Sequence, residues 1–409
     1  MALSPVAGPP QAAFRTMPVP DLANPAFKAN PWSFYTRLRA EAPVLRARIA
    51  GRSAWLVSRY DDVVDLLKDE RLSNDWTARM PKVFLRFAGP LVRNMLNSDP
   101  PDHTRLRALV QKAFTPRLVE TMRDRIQRVC DDLLDAVPRE GRVDLVEAFA
   151  LPLPLTVISD LLGIPGRDRL RFHSWSKHVV GGFGTLRALP RVVPSMWLVK
   201  RYLRRLVAHH REDPREDMVT ELIRAEQEGD RLGPEELIAM IGGLLVAGYE
   251  TTVSLIASGA LALMQDPRQR DLWLRNPGLA EPAIEELLRF VSPLDMASPR
   301  IPREEHVIGS VRIPAGEPVI ALLGSANHDE SQFSNPDSLD LTRTPSKHVA
   351  FGLGVHFCLG ASLARLEGII ALTTLMSRFP GMRLADHPER PRWRRSLILR
   401  GLESLPVTV

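Results

Sequence analysis

Cysteine is nearly absent from this chain: only Cys130 and Cys358 occur in 409 residues. A disulfide framework is therefore excluded, and a reducing compartment, the cytoplasm, is expected. No dense run of Lys and Arg marks a nucleic-acid arm. The net charge is +6 and the pI about 9.6, a modest surplus for this length. The first residues, Met1 to Gln11, lack a basic segment followed by an apolar one, so no secretory leader is expected. Residues 1–20 read as a flexible tail. No fixed-period repeat and no long linker divides the remainder, so 21–409 is expected to form one unit. With 44% hydrophobic and 25% charged residues, that unit has the composition of a globular protein with a large core.

One long apolar run is present. Ile238 to Met264 exceeds the ~20 residues of a membrane span. Glu250, Thr251 and Thr252 interrupt it, and a carboxylate at mid-bilayer costs several kcal/mol, about 3 by insertion scales. The run therefore reads as a core helix of a soluble protein, with no membrane span. Apolar spacing predicts further helices over 61–67, 118–137, 199–208, 280–290 and 361–379, and one ending at 159–162. Ala54 to Val57 reads as a strand, 307–322 as strand-turn-strand about Pro314-Ala315-Gly316, and the tail from Ser396 as β. The fold class is mainly α with small β-sheets.

The segment Phe351-Gly352-Leu353-Gly354-Val355-His356-Phe357-Cys358-Leu359-Gly360 places three glycines around one cysteine, just before a helix. Glycine allows a tight turn and close approach to a flat ligand. A cysteine at a helix N-terminus is favoured as thiolate, and His356 adds a possible cationic donor. One thiolate, without partners at zinc spacing, suits a metal that already carries four ligands, such as a heme iron. A buried structural cysteine and a nucleophilic cysteine are the alternatives. Cys130, between Val129 and Leu133 on an amphipathic helix, reads as packing. In Ala247-Gly248-Tyr249-Glu250-Thr251-Thr252 an acid and hydroxyls stand inside the apolar helix. Either Thr251 back-bonds to a carbonyl and Glu250 pairs with an unseen cation, or the pair relays protons to a reacting oxygen.

Together, Phe351, Gly354, His356, Cys358 and Gly360 match at each defining position the signature of the cytochrome P450 superfamily, which this chain resembles from about Asp99 to Gly360. The resemblance implies a triangular, α-rich prism with heme b between the long distal helix and the cysteine loop. It implies Cys358 as iron ligand, Glu250 and Thr251 as the catalytic acid–alcohol pair, and Ala247 beside the heme. It puts His103, Arg107, Arg300 and His348 on the propionates, and makes Glu286, Arg289 and Arg343 a structural network behind the loop. One departure is His328, where relatives commonly carry Arg. The implied reaction inserts one atom of O2 into a hydrophobic organic substrate. Electrons come from NAD(P)H through a separate reductase and ferredoxin, received near Arg105, Lys112 and Arg365. The pocket segments offer Phe84, Phe87, Leu244, Val246, Leu294, Met296, Ala297 and Ile398, suited to a sizeable apolar substrate: terpenoid, steroid, fatty acid or polyketide. Rival readings are a heme carrier or sensor, a peroxide-driven enzyme or isomerase on the same scaffold, and a heme-free cysteine enzyme. The intact acid–Thr pair argues against the first two.

Overall fold

In the computed structural model, which describes residues 17–49, 51–79, 94–181, 189–227, 232–344, 346–385 and 390–409, helices form where apolar residues recur at three- and four-residue spacing. The expected tail at 1–20 lies outside the described residues up to residue 16. Two helices lead in, α1 (Pro25–Ala29) and α2 (Trp32–Glu41). Strands β1 (Val44–Ile49) and β2 (Arg52–Val57) then pair antiparallel, with Leu45 opposite Leu56. Helix α3 (Tyr60–Lys68) follows, with Asp61 and Asp62 in its first turn, where carboxylates suit the exposed N–H groups.

The helical body comprises α4 (Asp102–Ala113), α5 (Arg123–Asp135), α6 (Pro152–Leu161), α7 (Arg169–Gly181), α8 (Leu189–Glu212) and α9 (Met218–Gln227). It continues through α10 (Pro234–Gln265), α11 (Ala280–Val291) and α12 (Ala361–Arg378). Helix α10 runs 32 residues and is the apolar run of the sequence. Pro234 starts it, and the Glu236 side chain accepts the Gly233 N–H at 2.8 Å. It packs on α6, α8, α11 and α12, and two thirds of its most apolar window is buried. It is the core helix expected.

Two local expectations are corrected. The stretch 118–137 is not one helix: a short helix Pro116–Thr121 ends at Met122, where α5 begins. The stretch 307–322 does turn at Pro314-Ala315-Gly316, where the Glu317 N–H donates to Pro314 O at 3.3 Å, but the strands on either side of that turn do not pair with each other. His306–Ile308 and Val311–Ile313 already form a hairpin, whose turn contains Gly309 at φ +57°. The next strand, β3 (Val319–Ala321), instead runs parallel to β2.

The N-terminal helices are tied to the far end of the chain. Lys28 Nζ lies 2.5 Å from Asp295 Oδ2, both side chains fully buried. Tyr35 donates to the other Asp295 oxygen at 2.8 Å, and Lys28 also donates to Leu397 O at 3.0 Å. Arg400 donates to Lys28 O, its guanidinium 4.6 Å from the ring centres of both Trp32 and Trp393. A buried cation is tolerated where it is paired and stacked in this way.

Candidate active site

A cavity of about 1140 Å³ separates the cysteine loop from α10. On the loop side, Gly354 sits at φ +71°, and a Cβ there would come 2.8 Å from Leu67 O, so only glycine fits the turn. The Cys358 N–H donates to Phe351 O at 2.9 Å, which closes the loop and turns the thiol into the cavity. The Arg365 guanidinium covers Phe351 at 4.6 Å. Burial pushes the Cys358 thiol up, against the Gly360 N–H and the Arg107 and Arg365 charges. The helix N-terminus alone therefore does not hold a thiolate; a bound metal cation would. Cys130 is fully buried, and burial pushes its thiol up to about 12, in keeping with packing.

The expected propionate residues do not all face the cavity. Arg300 is buried, lines it, and leaves Nε without a hydrogen-bond partner. Burial lowers its pKa, a cost that a carboxylate would relieve. Arg107 also lines the cavity and donates to Phe357 O at 2.8 Å. His103 lines the wall, but its nitrogens lie 2.7 Å from Met95 O and 2.9 Å from Val355 O, leaving neither turned inward. His348 is a clear correction. It faces away, with Nε2 3.2 Å from a Glu285 carboxylate that Arg365 also grips at 2.6 Å. Burial pushes His356 down to about 3, with His103, Arg300 and Arg107 adding to the effect and Asp99 opposing it. The thiol, the orphaned Arg300 and the open Arg107 fit a flat iron chelate bearing carboxylates.

Sequence reasoning missed Asn74. Its amide stands 3.5 Å from His356 Nδ1, and its oxygen accepts from Ser298 at 3.0 Å. No local pattern marked it, because these partners lie more than 200 positions away.

On the opposite wall, Ala247, Glu250 and Thr251 line the cavity. The Thr251 hydroxyl donates to Ala247 O at 3.1 Å, the back-bond of the alternative reading, while the side chain stays open to the cavity. Glu250 does meet a distant cation: Arg394 holds one oxygen, and Tyr249 donates to the other at 2.8 Å. Both elements of the structural alternative are thus present at a cavity wall. Gly248 serves helix packing, since a Cβ there would come 2.8 Å from Ile158 Cδ1 of α6.

Behind the loop, Glu286 and Arg289 of α11 are fully buried and joined by two contacts of 2.7 and 2.8 Å. Arg343 completes the set at 3.1 Å from Glu286. Arg289 donates to Asn327 O, and Asn327 Oδ1 accepts the Val349 N–H at 2.8 Å. The network therefore reaches the backbone two residues before Phe351.

Leu244, Val246, Leu294, Met296, Ala297 and Ile398 all line the cavity as expected. Phe84 and Phe87 lie outside the described residues. Trp197 stands on the surface, 57% exposed. Among the residues of the envisaged basic docking face, Arg105 is engaged by Glu236 at 2.6 Å, Arg365 is engaged by Glu285 at 2.6 Å, and Lys112 lies at the surface.

Glu285 offers a pH test. Burial raises its carboxyl, but hydrogen bonds from Arg365 and His348 overcome this and hold it at about 2. A depressed carboxylate contributes stability above its unfolded pKa and loses it as pH falls through the folded one. Wild type should therefore exceed Glu285→Gln by about 1–2 kcal/mol at neutral pH, the full linkage value being reduced because solvent screens this partly exposed pair, and the gap should close between about pH 4.5 and pH 2. Denaturant midpoints across that range check this, and a gap independent of pH would refute the assignment.

The cytochrome P450 family model matches residues 8–271 and 278–397. Cytochrome P450 107B1 of Saccharopolyspora erythraea is 45% identical, covering 95% of this chain and 98% of the relative. The polyketide biosynthesis cytochrome P450 PksS of Bacillus subtilis is 40% identical over 94% of this chain and 96% of its own length. A crystal structure of myxobacterial cytochrome P450 CYP267B1 with myristic acid superposes with a TM-score of 0.90 at 41% identity, covering 95% and 98% of the two chains. Family match, relatives and superposed fold converge: this chain belongs to the cytochrome P450 family and is a heme-dependent monooxygenase.

Proposed function

We propose that the Cys358 thiolate would bind the iron of a b-type heme, and that Glu250 and Thr251 supply protons from the cavity wall formed by α10. The observation that carries this is the single cavity in which a thiol, an unpartnered buried Arg300 and an acid–alcohol pair face one another. When bound, heme activates O2 with two electrons, so that one oxygen atom enters the substrate and the other leaves as water. Arg300 and Arg107 would hold its carboxylates, and Phe351 and Arg365 brace the loop behind Cys358. The Thr251 hydroxyl orients a water or oxygen donor above the cavity, and Glu250 restores the proton it passes on. Apolar Leu244, Val246, Leu294, Met296, Ala297 and Ile398 exclude bulk water and grip a large apolar substrate.

Of the four substrate classes, fatty acyl and polyketide chains are favoured, because the similar proteins include a polyketide-biosynthesis enzyme and one solved with myristic acid. Myristic acid is thus the first probe. Electrons come from NAD(P)H through a reductase and a ferredoxin-type donor, and residues 21–409 act as one catalytic unit in the cytoplasm. The test is the visible spectrum of dithionite-reduced protein under carbon monoxide. A strongly red-shifted Soret band is expected, replaced in Cys358→His by an imidazole-type band. An imidazole-type band in the wild-type protein would overturn the ligand assignment.

A further inference from the structure

Beyond the acid–alcohol pair, one polar chain runs from the cavity wall toward solvent. Tyr249 is wholly buried, and its hydroxyl meets Glu250 Oε1 at 2.8 Å and His173 Nδ1 at 3.1 Å. His173 sits on α7, half-buried, with its ring edge-on to Tyr249 at 5.8 Å. A carboxylate only accepts, so the phenol proton points to Glu250 and the phenol oxygen is left to accept from the imidazole N–H. Three groups on two helices thus line up with one polarity: imidazole N–H to phenol O–H to carboxylate. Arg394, from the C-terminal hairpin, binds the other oxygen of Glu250 and keeps Oε1 aimed at Tyr249.

We propose that His173 and Tyr249 form a proton inlet that recharges Glu250 from the α7 surface. This rests on the reading of Glu250 as the acid. When Glu250 gives a proton to the cavity side, Tyr249 passes its hydroxyl proton to the carboxylate. Tyr249 then takes the Nδ1 proton of His173, and His173 is reprotonated by water. One proton enters for each one delivered, and no electrons move. Tyr249 and His173 are positioning and relay residues; neither touches substrate.

The charges around His173 fix the sign of the pH dependence. Burial lowers its pKa most, Glu250 across the phenol raises it, and Arg394 and Lys177 lower it further. Lys177 is itself 3.4 Å from Glu403, which tempers its effect. The imidazole therefore captures protons below the ordinary histidine range, and delivery weakens as pH rises.

The experiment uses heme-loaded full-length protein with a surrogate ferredoxin and reductase, without substrate. It measures the share of NAD(P)H electrons that appear as peroxide rather than water. In wild type that share should rise with pH, with a midpoint equal to the His173 titration seen by NMR in the diamagnetic carbonyl-reduced protein. H173Q should flatten the profile, and Y249F should raise the peroxide share by about threefold or more at every pH from about 6 to 8. A merely structural role would change heme content or stability and leave the profile's shape intact. Profiles of H173Q and Y249F that superimpose on wild type, while E250Q raises peroxide, would overturn the inlet alone. If E250Q also leaves the peroxide share unchanged, the assignment of Glu250 as the acid falls with it.

Discussion

Glu286→Ala is expected to lose about 3–5 kcal/mol of stability and most of its heme. The substitution leaves the Arg289 guanidinium fully buried and stripped of its two carboxylate contacts. Arg343 loses its carboxylate as well, and the Asp340 N–H loses its acceptor at 3.1 Å. An uncompensated buried charge is among the costliest single changes a core suffers. Damage then travels along a short path: Arg289 holds Asn327 O, and Asn327 holds the Val349 N–H at the base of the cysteine loop. The readouts are the denaturant midpoint and heme bound per chain. A variant that stays fully loaded and as stable as wild type would show that this triad does not support the loop.

Thr251→Ala should retain heme and an intact carbonyl band, while product formed per NAD(P)H falls by about tenfold or more and peroxide rises to match. In the structure the hydroxyl spends its proton on Ala247 O, a helix-internal bond whose loss costs the fold little. Its lone pairs remain open to the cavity, so removal affects oxygen handling and not packing. Thr251→Ser keeps the hydroxyl and should recover much of the coupling. With myristic acid as probe, equal coupling in wild type and Thr251→Ala would remove Thr251 from the mechanism. The two variants separate cleanly, since the first moves stability and heme content and the second moves only electron accounting.

What could be read from the sequence was what lay close together along the chain. The cysteine loop is contiguous, and its glycine at φ +71° and its inward thiol follow from local geometry. Glu286 and Arg289 share a helix face by spacing alone. The apolar run of α10 announced a core helix because Glu250 is the one charged residue between Ile238 and Met264. The misreadings arose where partners are distant. His348 belongs to the loop by position, yet Glu285 of α11 turns it away from the cavity. Arg394 lies 144 positions beyond Glu250, and no local pattern could pair them. That the Tyr249 hydroxyl joins His173 to Glu250 needed α7 brought up against Tyr249. The hairpin after His306 was missed because two glycine-containing turns, at Gly309 and Gly316, compete within one short stretch.

The hook formed by Lys28, Tyr35 and Trp32 on Asp295 and Arg400 constrains how this enzyme can be re-engineered. Asp295 stands between Leu294 and Met296, and the Leu397 carbonyl held by Lys28 adjoins Ile398, so the anchors alternate with the side chains that line the cavity. Loops 294–297 and 396–400 are therefore not free cassettes. A graft from a relative with another selectivity would have to bring its own N-terminal helices, or match Asp295 and Arg400, to seat at the same height above the cavity. Trimming the chain past Lys28 for expression would likewise retune which molecules the pocket admits, although none of the described residues from 17 to 28 lines the cavity.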